Sequence, residues 1–399
     1  FDQYIYQVGQ PGFRPGYADI MDPNFELPKD MKMSVGLDWS LGDGYFFSAD
    51  ILRTETDTDL HFKQLRLGNP AFAGSVNCPE IGNSVSNTPI GTAVDGRLIY
   101  ADYSYCGKAM EKFYDGRGYD MLLTNTDKGN SDLFSLSMAK AWDSWDIYAA
   151  YTWQNINTVG NLSSSRNISN YKYTTKYADF NEDVMHRSVY EREHTLNFVA
   201  NYKKFFFADH PTVFTFVGAA ISGEPFSYTL GQYKDGALWG LDKESVRDET
   251  VAFYVPNGDV IIPSWFQSDF DSYIAAAGLG DLAGGFAPIN GYETDWNYRL
   301  DFKLTQEFPG LGLTDKDKFV VTFDIENLLN LIDSDYGKQT KASSTARSLA
   351  EATPVKTGDG TFTYEYRPAY GMNLGRVDNQ SLNYHRSLYR IQLGFKYIF

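Results

Sequence analysis

The chain has 399 residues, a net charge of −16 and an aromatic content of 16%, including 29 Tyr and 28 Phe. That acidity argues against a nucleic-acid partner, because neutralising phosphates takes a basic surface. No stretch approaches the roughly 18 consecutive apolar residues of a spanning helix. The mean hydropathy is −0.39, and the aromatic load exceeds that of an ordinary soluble α/β enzyme.

In chain order, the first clear pattern is MKMSVGLDWSL, with Met31, Met33, Val35, Leu37, Trp39 and Leu41 on one face of an extended segment. Gly42-Asp43-Gly44 is a tight-turn signal, and YFFSADIL returns in step. Cys78 and Cys106 follow in a segment rich in Gly, Pro, Ser and Asn. They read as a disulfide in an oxidising compartment, with free thiols as the alternative. No second CxxC or His pair accompanies them, which disfavours a metal site. DLFSLSMAKAW then pairs with WDIYAAYTW through Asp143-Ser144. From Trp145 to Trp153 is ~27 Å along a strand, or ~20 Å vertically at a ~40° tilt, a spacing that fits two interfacial aromatic girdles. HTLNFVANYK with VFTFVGAAIS, whose Val213, Thr215, Val217, Ala219 and Ile221 read as the face in phase, and DWNYRLDFKLTQ with KFVVTFDIENLLN, repeat the design. The chain closes on SLYRIQLGFKYIF, whose odd positions from Tyr389 to Phe399 are all apolar.

The connections alternate in size. Short ones fall at 42–44, 143–144, 205–211 and 305–317, and long ones at 68–117, 156–191, 223–291 and 330–384. Sorting by parity is the habit of outer-membrane barrels, with tight periplasmic turns and long extracellular loops. The predicted fold is therefore all-β, a transmembrane antiparallel β-barrel. The count is nine strands if 119–142 is one kinked strand, and eleven if DKGN turns and another strand lies near 98–105. Either number is odd, whereas closed bacterial barrels are normally even. The chain is thus expected to be part of a larger sheet whose front is missing, and no signal peptide is expected in it.

DPNFELPKDMKMSVGLDWSL, LLTNTDKGNSDLFSLSMAKAW with AYTW, FTFVGAAISGEPFS and DIENLLNLIDSDYG resemble strands of the Oar-like TonB-dependent outer-membrane transporters. The resemblance spreads from about residue 20 to 399. It implies that residues 1–399 are the C-terminal part of a 22-stranded plugged barrel in a Gram-negative outer membrane, without the plug or the TonB-contacting segment. It also implies active uptake of a scarce nutrient, TonB engaged through the missing segment, and Phe395, Tyr397 and Phe399 as a signal to the barrel-assembly machinery. The expected surroundings are outer-membrane lipid and lipopolysaccharide, plus an extracellular substrate of unknown identity. The alternative is a non-transporting barrel whose large acidic loops serve adhesion or complex assembly.

No enzymatic constellation emerges. The five histidines form neither HExxH nor HxH, GxSxG and Walker sequences are absent, and no cofactor or metal is expected. His194 is expected at the membrane interface. The run 272–286 reads as a short helix and Gly-rich turn rather than a dinucleotide fingerprint, since no strand–helix–strand frame surrounds it. Loop 223–291 carries ten acids against three bases, a net of −7. Asp269 and Asp271 lack the spacing of a calcium loop and read as solvated charge. Trp239, Tyr254, Trp265, Phe266 and Tyr273 in that loop are candidate ligand-facing aromatics, with packing against neighbouring loops as the competing role.

Overall fold

A computed structural model describes residues 18–67, 75–77, 84–86, 89–101, 120–207, 209–231, 237–241, 246–314, 317–369 and 377–399. Nine long strands run as an antiparallel meander. They are β1 (Lys29–Gly42), β2 (Tyr45–Gln64), β3 (Asn130–Ala141), β4 (Trp145–Thr158), β5 (His194–Phe207), β6 (His210–Ile221), β7 (Asn297–Pro309), β8 (Lys318–Glu326) and β9 (Arg390–Ile398). The segment Asp120–Thr126 continues β3 past a kink and pairs with β2 in unbroken register, from Asp59↔Thr126 to Glu55↔Asn130. The 119–142 stretch is therefore one interrupted strand, and DKGN is a kink rather than a turn. Leu98–Ile99 pairs only with Gly91–Thr92, away from the meander. Of the two strand counts, nine describes this sheet.

Tight turns join β1 to β2, β3 to β4, β5 to β6 and β7 to β8. In the first, Gly42, Asp43 and Gly44 all have positive φ, a conformation that glycine takes without a Cβ penalty. The long connections 65–119, 159–193, 222–296 and 327–389 all leave from the opposite end. The parity seen in the sequence is the parity of the structure.

The period of two sorts side chains onto two faces. Trp39, Phe47, Met138, Ala149, Phe198, Gly218 and Leu300 form one cross-strand row. The neighbouring row on the other face reads Asp38, Ser48, Ser137, Ala150, Asn197, Ala219 and Arg299. The apolar face is open rather than packed: Val35 is 73% exposed and Phe395 76%. Phe134, Met138, Phe198 and Phe302 are none of them buried, so among the described residues no second sheet stacks against them. At Gly218 the Phe198 ring lies so close that a Cβ would fall 1.9 Å from its Cε1, so only glycine fits beneath it.

The buried core sits elsewhere. Ile99 comes from the first long connection, Tyr171 and Phe180 from the second, Phe226, Leu230, Trp239, Phe253 and Phe266 from the third, and Leu349, Tyr364 and Tyr366 from the fourth. All belong to one cluster, and at ~1.5–3 kcal/mol for each large apolar side chain taken from water this is a substantial folding unit. Its backbone includes a small sheet in which Pro225–Gly231 pairs parallel with Ala346–Lys356, which pairs antiparallel with Phe362–Pro368. Two helices, α1 (Asn167–Lys172) and α2 (Ser264–Ala276), pack into it through Tyr171, Phe266 and Phe270. Phe62 and Met121, at the loop-side end of the sheet, join the same core and seat this cap on the strands.

Candidate functional site

Three features of the loop end organise the site: a buried ion pair, a rim of charge and an unpaired lysine. The ion pair is Asp95 with Arg97, fully buried and 2.6 Å apart. The Arg97 guanidinium also donates to the Tyr177 carbonyl at 3.0 Å and the Ala252 carbonyl at 2.6 Å. It lies over the Phe286 ring at 4.7 Å. Asp95 accepts the Tyr364 hydroxyl at 3.0 Å, and Tyr364 in turn accepts the Trp239 indole N–H at 3.3 Å. These partners come from all four long connections, so one guanidinium ties the cap together. Arg suits the role because its planar donors can satisfy a carboxylate and two carbonyls at once.

At the rim, Arg187 gathers Glu191 at 2.5 Å, Glu193 at 3.3 Å and Glu293. Arg192 holds Glu224 at 2.7 Å, a second tie between the second and third connections. Below the rim, the polar face of β7–β9 carries a ladder of alternating charge. Arg299 meets Asp301 at 2.9 Å and Glu326 at 3.8 Å, Lys303 meets Asp324 at 3.1 Å, and Arg390 approaches Glu326 at 4.0 Å. Partly exposed pairs of this kind are worth only ~0–1 kcal/mol each. Their consequence is a wetted, charged wall rather than stability.

Lys176 is buried beside α1. Its Nζ donates to the carbonyls of Tyr171 at 2.9 Å and Thr174 at 3.3 Å, and sits 4.4 Å from the Tyr171 ring centre. Among the described residues no carboxylate pairs with it, and burial pulls its pKa down to about 7. The Tyr171 hydroxyl in the same pocket has no hydrogen-bond partner. His186 is held nearby, with Nδ1 2.9 Å from the Arg187 carbonyl and Nε2 3.1 Å from the Val159 carbonyl. Its pKa is lowered by burial despite those contacts.

The sequence-derived candidates fall in different places. Trp239, Tyr254, Phe266 and Tyr273 are buried in the cap core, so they pack loops together and have no surface to offer a ligand. This corrects the ligand-facing expectation for these four. The physical reason is that an apolar ring gains more from a dry core than from a loop tip. Trp265, at 67% exposed, keeps the surface a ligand contact needs. Asp269 and Asp271 lie on α2, where Asp271 accepts from Gln267 at 2.8 Å. The 272–286 run forms the end of α2, a left-handed Gly278 and a 3-10 turn at Gly280–Leu282. Cys78 and Cys106 lie outside the described residues. His194 stacks between Tyr151 at 6.0 Å and Trp296 at 5.8 Å, and its Nδ1 is 2.8 Å from the Tyr151 hydroxyl. Phe395 and Phe399 are exposed on the apolar face at the turn end, and the Tyr397 ring meets that of Phe319 at a tilt, 4.8 Å between centroids. Sequence reasoning missed Asp95 and Arg97. The only signal was a charged Asp-Gly-Arg turn set between apolar residues in AVDGRLIYA.

Fold and site together define a mostly β-strand protein in which the large apolar side chains of the sheet share one uncovered face. Among the described residues no helix is long and apolar enough to cross a membrane. No family model and no curated protein matches the sequence. Among solved structures, the chain is similar to the outer membrane transporter YddB from Escherichia coli, with a TM-score of 0.39 and 11% identity over 96% of this chain and 34% of that one. The chain spans about a third of the length of that structure.

Proposed function

We propose that this chain is the wall and extracellular cap of a TonB-dependent transporter barrel in the outer membrane of a Gram-negative bacterium. The observation that carries the reading is the apolar face of the sheet, continuous across nine strands and uncovered, while the dry core lies in the loops. In hydrocarbon every backbone donor needs a partner, so strands cross only inside a closed sheet. Among the described residues the outer edges of β1 and β9 have none. Further strands therefore complete the barrel in this reading. On the polar face one apolar row runs through Phe46, Ala139, Tyr148, Val199 and Val217. Phe46 and Tyr148 are each 44% exposed, and a plug seated in the lumen would cover that row. The charged ladder and Trp265 are the groups this chain offers to a passing substrate.

The decisive experiment is fractionation of cells producing the full-length protein. It is expected to stay with membranes through carbonate and urea washes and to leave them only in detergent. Recovery in the soluble fraction would sink the reading. TonB dependence is tested separately, by deleting the TonB-contacting segment sought upstream and measuring energised uptake. A barrel specialised for adhesion or assembly is the second reading, favoured by the single packed core of the cap; it predicts that uptake is unaffected by that deletion. Phe395, Tyr397 and Phe399 are assigned to assembly: removing Phe399 should lower the amount of folded protein in the membrane, and unchanged levels would leave these rings as interface residues alone.

A further inference from the structure

At the turn end of the apolar face, β3 carries a lysine where its neighbours are apolar. Lys140 is in register with Tyr45 on one side and Ile147 on the other. Its ammonium is 3.8 Å from the Tyr45 ring centre and 5.2 Å from that of Trp142, and it donates to the Asp43 carbonyl. Lys140 is itself only 6% exposed, and it borders an open recess of about 750 Å3 together with Asp43, Trp142, Asp143, Ser144 and Trp145. Asp43 and Asp143 are exposed there, yet among the described residues neither carboxylate makes an ion pair with Lys140 or any other cation. One cation and two anions thus share a cleft without neutralising one another. Charges held apart in this way match a ligand that carries both signs.

We infer that the cleft between the two turns binds a zwitterionic phospholipid headgroup, a phosphate linked to a primary ammonium, of the phosphatidylethanolamine type. The inference rests on the membrane reading above and names one ligand of that outward face. The Lys140 ammonium retains donors for the phosphate. The lipid ammonium is received by Asp143 and by the Trp142 and Trp145 rings, whose faces attract cations. The acyl chains then run along the apolar face past Ile147. The place fits the cost as well, since an outward lysine is expensive at the bilayer midplane and cheap at its interface. Trp and Tyr are the side chains favoured at that depth.

The test uses the full-length protein purified in detergent and offered phosphatidylethanolamine, phosphatidylglycerol or phosphatidylcholine of identical acyl chains, with retention read by native mass spectrometry. Phosphatidylethanolamine is expected to be retained about tenfold over the other two, the equivalent of one charged hydrogen bond. Lys140→Gln should reduce retention of both phosphatidylethanolamine and phosphatidylglycerol. Asp143→Asn should reduce only phosphatidylethanolamine and so erase the preference. Equal retention of the three lipids by the unaltered protein, or a preference that survives both substitutions, would overturn the inference. A protein that inserts into bilayers without headgroup preference refutes this site alone, whereas one that never inserts refutes the membrane reading with it.

Discussion

In the sheet, Phe395 and Ile391 on β9 are more than half exposed, while in the cap Phe266 and Phe253 have no exposure at all. The same residue types meet opposite surroundings within one chain. The strands gather most of their polar side chains on one face and leave their apolar ones uncovered on the other. The cap does what a water-soluble domain does, burying rings around a few satisfied polar groups such as Asp95 and Arg97. A chain solvated by water throughout has no reason to divide its residues this way. The proposed reading supplies one, with hydrocarbon along the strands and water beyond them.

Perturbing each region separately should break or sharpen that contrast. The largest effect is expected from Arg97→Leu, which leaves Asp95 buried without its partner at a cost of about 3–5 kcal/mol. Hydrogen exchange should then show all four long connections losing protection together while the strands keep theirs; loss confined to one connection would mean that the cap is not one unit. Next comes Phe198→Arg, expected to cost about 2–4 kcal/mol of folded protein in bilayers, because it places a charge on the face that the proposed reading turns to lipid. The adjacent Asn197→Arg, on the polar face, should change stability by no more than about 0.5 kcal/mol. Equal effects in denaturant titrations would erase the two-faced reading of the sheet.

Lys176 probes the cap by pH. Its pKa is lowered from 10.5 to about 7 in the folded protein. Between those values the unfolded chain binds more protons, so cap stability rises with pH, by about 2 kcal/mol from pH 7.5 to 9.5. Lys176→Met should flatten that rise and stabilise the cap at neutral pH, as followed by thermal melting of the cap. An unchanged slope would mean that the lysine is hydrated. The smallest effect is expected at Gly218, where Gly218→Val forces the Phe198 ring aside. The estimated cost is about 1–3 kcal/mol by overpacking, and Phe198→Ala in the same chain should relieve most of it.

The strands and their short turns were legible in the sequence because alternation is a local property, repeated over ten or so residues, with Gly-Asp-Gly and Asp-Ser marking the reversals. The sorting of connections by length was legible for the same reason. The place of His194 at the start of β5 was legible from the same alternation, while its stacking beside Trp296 was not. The cap was not. Trp239 and Tyr364 are 125 positions apart and Arg97 and Ala252 are 155 apart, yet both pairs are hydrogen-bonded. The loop aromatics have no period, so nothing in the sequence separated a ring that packs from a ring that greets a ligand.

The sequence by itself determined the two-residue period of the strands, where the chain reverses, and that the long connections gather at one end. Those features follow from backbone geometry acting between neighbours. On β6 it chose the wrong face, since Phe198 pairs with Gly218 and the row Val213, Thr215, Val217, Ala219 and Ile221 falls on the polar side. Only the tertiary structure decided that four separate connections share one core, that Arg97 is its tie, and that Lys140, Asp43 and Asp143 meet in one cleft without pairing. Each of these depends on segments brought together across the sheet, and burial, not local pattern, selects which side chains meet there.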